Sequence, residues 1–177
     1  MNKKLKLEEL GRITVDEFKS AKKIPLVVVM ENIRSGNNVG SIFRTSDAFL
    51  IEKIFLTGIT AQPPHRDIQK TALGATESVE WEYKEDSLVL IQELQAKGYY
   101  VMAIEQAEST TSLKNWKPKA EKYAIVLGNE VKGVSQDVID LCDECVEIPQ
   151  SGTKHSFNVS VCTGIVLWHV NQTLQEN

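Results

Sequence analysis

The sequence predicts an α/β fold: a mostly parallel sheet flanked by helices. Two continuous apolar runs rich in β-branched residues, IPLVVVM (24–30) and YAIVLG (123–128), are typical of strands buried on both faces. Strand patterns alternate with helix patterns along the chain, which is the arrangement that produces parallel sheets. No repeat, low-complexity segment or long linker divides the chain.

Individual elements follow from periodicity and capping residues. After the first strand we expect a helix from Asn38 to residue 50. Asp86 is the expected cap of a helix that stops at Gly98, and Ser135 is the expected cap of a third helix. The other predicted elements are strand 51–58, a short helix 68–75, strands 79–84, 99–105, 122–128 and 145–149, and a last helix from Asn158 to about Gln172.

Composition describes one ordinary domain. The 177 residues are 42% hydrophobic, and no apolar run approaches the roughly 18 residues of a membrane span. The N-terminal residues lack the apolar core of a signal peptide, and three cysteines do not suggest a disulfide framework. We therefore expect a reduced, cytoplasmic protein without membrane association.

Charge is unevenly distributed. The net charge is −4, yet residues 1–23 hold seven Lys/Arg against four Asp/Glu. We predict a basic N-terminal arm or helix over 1–23 and one further domain over 24–177. The arm is interpreted either as a nucleic-acid contact or as an ordinary solvated helix face.

The last helix has apolar residues on more than one side and therefore requires burial on two sides. A homodimer interface would supply the second side, and deep burial within one chain would do so equally well. The residues concerned are Val159, Val161, Cys162, Ile165, Val166, Trp168 and Val170.

Ligands in open α/β sheets bind beyond the carboxyl ends of strands, and three such ends carry unusual residues. After the first strand, Asn37, Ser41 and Arg44 share one helix face, opposite a packed face of Val39, Ile42, Phe43 and Phe49. Arg44 is either a surface arginine whose stem covers the helix or a fixed guanidinium that grips phosphate.

The other two strand ends leave alternatives open. Gly128 allows close approach of a ligand, and Glu130 beside it could be catalytic, a positioning carboxylate, a plain loop acid or a partner of Arg44. Ser156 and Asn158 could cap the last helix, whose free amides also suit an anion or ligand.

Several familiar sites are missing. The sequence has no GxGxxG dinucleotide loop, no P-loop and no GxSxG elbow. Cys142 and Cys145 form a CxxC between a helix and a strand, without a second pair to complete a zinc site, so we expect no metal. His155 and Ser156 are adjacent and lack a third member for a hydrolytic triad.

Three segments together resemble the motifs of the SpoU/TrmH family of RNA 2′-O-ribose methyltransferases, within the SPOUT superfamily. They are NNVGSIFRTSDAF (37–49), IVLGNEVKGVS (125–135) and VEIPQSGTKHSFNVSVCTGI (146–165), and IQKTALGA (68–75) fits an intermediate segment. The resemblance covers about residues 24–172. Residues 154–157 depart from it, because the family more often has an acidic residue followed by Ser-Leu.

The resemblance implies a C-terminal trefoil knot, a homodimer through the last helix, and an RNA substrate, with tRNA favoured over rRNA. It implies S-adenosylmethionine as cofactor, bound near Leu127, Gly128, Ile148, Phe157 and Asn158. It also implies an active site in which Arg44 holds phosphate, Glu130 and Asn158 orient Arg44 and the nucleotide, Ser156 shapes the site, and Asn38 lies beside them. The alternatives are a non-catalytic knotted RNA-binding protein, a SPOUT enzyme that methylates a base nitrogen, and a small-molecule α/β enzyme.

Overall fold

The structure is a computed structural model that describes residues 2–175. Met1, Glu176 and Asn177, which the predicted domain boundaries include, lie outside the described residues. The strands are β1 (Ile24–Glu31), β2 (Ile51–Thr57), β3 (Trp81–Lys84), β4 (Tyr99–Ile104), β5 (Thr111–Ser112), β6 (Lys122–Leu127) and β7 (Glu144–Glu147). The helices are α1 (Val15–Ser20), α2 (Gly36–Ala48), α3 (Arg66–Ala72), α4 (Ala75–Ser78), α5 (Ser87–Ala96), α6 (Gln136–Leu141) and α7 (Val159–Gln175). Leu7–Leu10 and Leu113–Asn115 form short 3₁₀ helices.

All seven strands are parallel, in the order β3-β2-β1-β6-β4-β7-β5, which confirms the predicted α/β class. β1 lies inside the sheet, where Val28 is paired with Ile54 of β2 and Ile125 of β6. Residues 26–30 and 123–127 of the apolar runs are buried because both faces of the sheet are covered there. One core cluster joins β1 and β2 to α2, α3 and α7, and a second joins the other sheet face to α5 and α6. The predicted knot stays a prediction.

Several predicted boundaries require correction. The helix expected from Asn38 begins at Gly36, because the Ser35 hydroxyl caps it by accepting a hydrogen bond from the Asn38 amide at 3.3 Å. The helix expected over 68–75 is two helices, separated where Leu73 adopts a left-handed backbone conformation (φ 50°). The loop expected over 106–121 contains β5 and a 3₁₀ turn.

Capping was predicted with mixed success. Asp86 caps α5 by accepting hydrogen bonds from the amides of Leu88 and Val89, as expected. Ser135 precedes α6, but its hydroxyl donates to buried Glu31 at 2.6 Å and makes no side-chain cap. Ser135 therefore ties α6 to the end of β1.

The basic N-terminal segment is partly docked on the domain. α1 begins at a Thr14–Glu17 capping box, and its Phe18 is buried in the main core cluster. Lys3, Lys4 and Lys6 precede this anchor and are exposed. The N-terminal segment thus combines three exposed lysines with one buried phenylalanine.

The last helix buries one side and exposes apolar residues on another. Val166, Leu167 and Val170 are buried, whereas Val161 and Trp168 are 53% and 57% exposed. Within residues 2–175, no helix is both long and apolar enough to cross a lipid bilayer.

Candidate active site

The strand order brings four carboxyl ends side by side, those of β1, β6, β4 and β7. We name the segments that follow three of them the β1 loop (residues 32–35), the β6 loop (128–134) and the β7 loop (148–158). They correspond to the three strand ends identified in the sequence. Ligand sites in parallel sheets form at this edge.

The β6 loop is a tight turn that requires glycine at its start. Asn129 and Gly133 exchange two backbone hydrogen bonds of 3.0 and 2.9 Å, so the chain folds back on itself. A Cβ at Gly128 would lie 2.1 Å from the backbone nitrogen of Val134. The turn therefore leaves no room for a side chain at Gly128.

Glu130 forms hydrogen bonds to the β1 loop and to α2. Its carboxylate accepts hydrogen bonds from the backbone amides of Arg34 (3.0 Å) and Ser35 (2.9 Å) and from Asn38 Nδ2 (3.0 Å). Burial opposes ionisation of Glu130, but these hydrogen bonds outweigh it and hold its pKa below the usual value. Glu130 is therefore a carboxylate at neutral pH.

Asn38 extends this connection to the β7 loop. Its Oδ1 accepts a hydrogen bond from Asn158 Nδ2 at 3.1 Å. Asn158 in turn caps α7, because its Oδ1 accepts from the Ser160 amide at 3.0 Å. Glu130, Asn38 and Asn158 thus form one hydrogen-bonded chain that joins all three loops.

A cleft of about 580 Å³ lies between the β6 and β7 loops. This volume is within the usual range for small-molecule sites. The cleft is lined by residues that the sequence indicated for the cofactor and the reaction, namely Leu127, Gly128, Glu130, Ile148, Ser156, Phe157 and Asn158. The β6 and β7 strand ends therefore meet around one cavity, and hydrogen bonds through Glu130 and Asn158 connect it to the β1 loop and α2.

Sequence reasoning missed the contribution of β4. Ile104, Glu105 and Gln106 line the same cleft, because β4 lies between β6 and β7 in the sheet. It also missed Asn129, whose Nδ2 donates to the Asn32 carbonyl at 2.7 Å. In the sequence, Glu105 and Gln106 can be noticed only as polar residues directly after a strand. Their place at the cleft depends on the strand order, which the neighbouring residues do not determine.

Arg44 lies outside the cleft lining. It is exposed on α2, six residues after Asn38, which is about 9 Å along the helix axis. Among the described residues its guanidinium has no hydrogen bond or ion pair, so the hydrogen bonds of Glu130 and Asn158 do not reach it. The predicted orientation of Arg44 by these two residues stays a prediction.

The cysteines are free and protonated. Burial raises the pKa of the Cys142 thiol to about 12 and that of Cys162 to about 11, and burial also raises the pKa of Cys145. Thiols in this state are poor nucleophiles at neutral pH. In the described part of the chain, no cluster of three His, Cys, Asp or Glu residues is placed to hold a metal.

The chain resembles known proteins over most of its length. A Staphylococcus aureus protein (strain MSSA476), named for the TrmH family of tRNA/rRNA methyltransferases, is 28% identical over 159 residues, which are 88% of this chain and 63% of that protein. A 23S rRNA (guanosine-2′-O-)-methyltransferase RlmB from Haemophilus ducreyi is 26% identical over 92% of this chain and 66% of its own length. The chain therefore spans about two thirds or less of the length of these curated relatives.

A solved structure supports the fold. The AdoMet-bound rRNA methyltransferase from Sinorhizobium meliloti superimposes with a TM-score of 0.79 at 23% identity, covering 88% of this chain and 59% of that one. The profile of the SpoU rRNA methylase family matches residues 25–168, which include all three loops and the lining of the cleft. The chain belongs to the SpoU rRNA methylase family.

Proposed function

We propose that the protein transfers a methyl group from S-adenosylmethionine to a ribose 2′-hydroxyl of tRNA or rRNA. One observation carries this proposal. The residues expected to bind the cofactor come from two distant segments and line one cleft, and Asn158 and Asn38 connect that cleft to the helix that bears Arg44. Relatives named as tRNA/rRNA and guanosine-2′-O methyltransferases support the same reaction.

The cleft fits the cofactor in size and charge. Its lining includes three carboxylates, Glu105, Glu130 and Glu147, against one lysine, Lys132. S-adenosylmethionine carries a sulfonium and an ammonium, and an excess of carboxylates favours such a cation-bearing ligand. The lack of a side chain at Gly128 lets backbone groups of the β6 loop approach a flat ring closely. When bound, the cofactor supplies a methyl group that its sulfonium charge already activates.

Arg44 is the proposed catalytic cation. A guanidinium stays protonated at physiological pH and is a poor general base, but it binds phosphate with paired N–H groups. We therefore assign Arg44 to the phosphate next to the target ribose, where it stabilises the negative charge that develops on the 2′-oxygen. An oxygen of that phosphate accepts the 2′-hydroxyl proton as the sugar oxygen attacks the methyl group. The Arg44 side chain has no hydrogen-bond or ion-pair partner among residues 2–175, and this leaves its guanidinium available for that phosphate.

Asn38, Glu130 and Asn158 hold the site together. The Glu130 carboxylate fixes the start of α2, and Asn38 passes this restraint to Asn158 at the start of α7. In our proposal the chain keeps the nucleotide-binding helix and the cofactor loops in register. Ser156 lines the cleft with an exposed hydroxyl that has no partner among residues 2–175, and it is assigned to shaping the site.

We further propose a homodimer formed through α7. Val161, Ile165 and Trp168 lie at spacings of four and three, so they form an exposed apolar stripe on one helix face. Trp168 also contacts Phe49, the residue directly after α2, with ring centroids 6.3 Å apart, which extends the stripe toward α2. A second copy would remove this surface from water. The free thiols and the RNA substrate suit a cytoplasmic location.

Two measurements test the proposal. Calorimetry with S-adenosylmethionine should show one site per chain, which separates an enzyme from a non-catalytic RNA-binding relative. Incubation with labelled cofactor and separate pools of tRNA and rRNA, followed by nucleoside mass spectrometry, should detect 2′-O-methyl nucleosides. Methyl groups found only on base nitrogens, or binding without transfer to either pool, would contradict the ribose assignment.

A further inference from the structure

The β7 loop is the least anchored wall of the cleft. Residues 149–157 form no helix or strand, and all of them are exposed. Within the described part of the chain, one hydrogen bond joins this segment to the rest of the protein, from Gln106 Nε2 to the His155 carbonyl oxygen at 2.8 Å. The next anchor along the chain is Asn158.

The opposite wall is held far more firmly. Asn129 donates to the Asn32 carbonyl, and Glu130 accepts three hydrogen bonds from the β1 loop and α2. The β6 loop also carries its own paired backbone hydrogen bonds between Asn129 and Gly133. Any movement that opens the cleft will therefore involve the β7 loop first.

Gln106 is itself fixed at its base. Its backbone amide donates to Glu105 Oε1 at 2.8 Å, while Glu105 Oε2 accepts from the Val134 amide at 3.0 Å. The Glu105 amide donates to the Val146 carbonyl of β7 at 3.1 Å. The pair Glu105–Gln106 thus links the end of the β6 loop to the β7 loop across the floor of the cleft.

We propose that Gln106 is a positioning residue for the cofactor, acting through the β7 loop. Its amide holds the His155 carbonyl, and with it Ser156 and Phe157, against the cleft when the cofactor is bound. Release of this one contact lets the loop lift and gives the cofactor access. The inference rests on the proposed function only in naming S-adenosylmethionine as the ligand that the loop covers.

Two substitutions isolate the contact. Gln106→Met keeps the side-chain length but removes the donor without adding charge to the cleft, and Gln106→Ala removes the side chain. Gln62→Ala is the matched control, because Gln62 is exposed and forms no hydrogen bond within residues 2–175. Both Gln106 variants should fold as the parent does, since Gln106 is itself exposed.

A single neutral hydrogen bond changes an equilibrium about 2- to 12-fold. Both Gln106 variants should therefore weaken S-adenosylmethionine binding by that factor in calorimetry and raise its KM, while kcat stays within about twofold of the parent. Trypsin cleavage after Lys154, followed by mass spectrometry without cofactor, should accelerate by a similar factor. The Gln62→Ala control should match the parent in both measurements.

The outcomes separate the two proposals. Parental cofactor affinity and parental cleavage after Lys154 in both variants would overturn the role of Gln106 and leave the proposed function standing. A loss of kcat without a change in KM would also overturn it, because a residue that only positions the loop acts on binding. If the parent protein itself fails to bind S-adenosylmethionine, the proposed function fails, and the cofactor role of Gln106 fails with it.

Discussion

Replacing Gly128 with alanine tests the close backbone crossing at the start of the β6 loop, which forms one wall of the proposed cofactor site. The added Cβ would lie 2.1 Å from the Val134 nitrogen and 2.1 Å from the Gly133 carbonyl carbon, whereas ordinary contacts begin at 3.4 Å. Both neighbours are backbone atoms and cannot rotate away. The Gly133–Val134 peptide must therefore retreat by about 1 Å, which is a typical overpacking strain.

The cost follows from the strain and from the hydrogen bonds that the retreat disturbs. Overpacking costs about 1–3 kcal/mol, and weakening the two Asn129–Gly133 hydrogen bonds adds about 1 kcal/mol in total. We expect Gly128→Ala to lower the free energy of unfolding by about 2–4 kcal/mol. For a chain of this size that corresponds to a fall in Tm of about 5–15 °C.

Urea and thermal unfolding measure the stability of the variant. Calorimetry at a temperature where the variant is folded measures its affinity for S-adenosylmethionine. Affinity should fall at least about tenfold, a loss of about 1.4 kcal/mol, because the displaced turn forms one wall of the cleft. Gly152→Ala is the stability control, since a Cβ there meets nothing within 4 Å and its Tm should stay close to that of the parent. If Gly128→Ala keeps the parental Tm and the parental affinity, the argument from close approach is wrong.

Four further changes probe the rest of the molecule. Arg44→Ala should reduce methyl transfer at least about a hundredfold while cofactor affinity stays near parental, because Arg44 lies outside the cleft; substantial turnover in the purified variant would refute its catalytic role. Val161→Glu should convert a dimer to monomers in analytical ultracentrifugation, since it places a charge in the exposed apolar stripe of α7; an unchanged dimer would place the interface elsewhere. Glu130→Gln should lower stability by about 1–2 kcal/mol above pH 5, and this difference should shrink as the pH falls below 4.5, because the lowered pKa of Glu130 contributes stability only while the carboxylate is ionised in the folded state. A difference that does not shrink as the pH falls from 5 to 3 in a urea-unfolding series would contradict that assignment. Replacing Lys3, Lys4 and Lys6 by glutamine should weaken RNA binding and make it less dependent on salt concentration, without changing cofactor affinity. An unchanged salt dependence would exclude an RNA contact at these lysines.

The basic N-terminal segment contains both exposed lysines and a residue of the core, and a test of RNA binding must separate the two. Charge counting suggests removing residues 3–23 as a unit. Phe18 is buried in the main core cluster, so that truncation would open the core as well as remove charge. Replacing only the exposed lysines separates the two effects.

Features with a local cause were predictable. The apolar runs of β1 and β6 are strands because β-branched residues suit buried sheet positions, and Asp86 caps α5 because its carboxylate reaches the nearest free amides. Where two local solutions compete, prediction failed. Ser35 and Asn38 are both good caps, and only the structure shows that Ser35 begins the helix, because its hydroxyl accepts the hydrogen bond from the Asn38 amide.

The sequence by itself determined the class of fold, the glycine at the β6 loop and the residues that resemble the family motifs. Only the tertiary structure decided that β4 lies between β6 and β7, and hence that Glu105 and Gln106 reach the cleft. It also decided the partners of Asn38, which are Glu130, 92 residues away, and Asn158, 120 residues away. Helix and strand preferences act over a few neighbouring residues, whereas these contacts depend on the order in which distant strands pair.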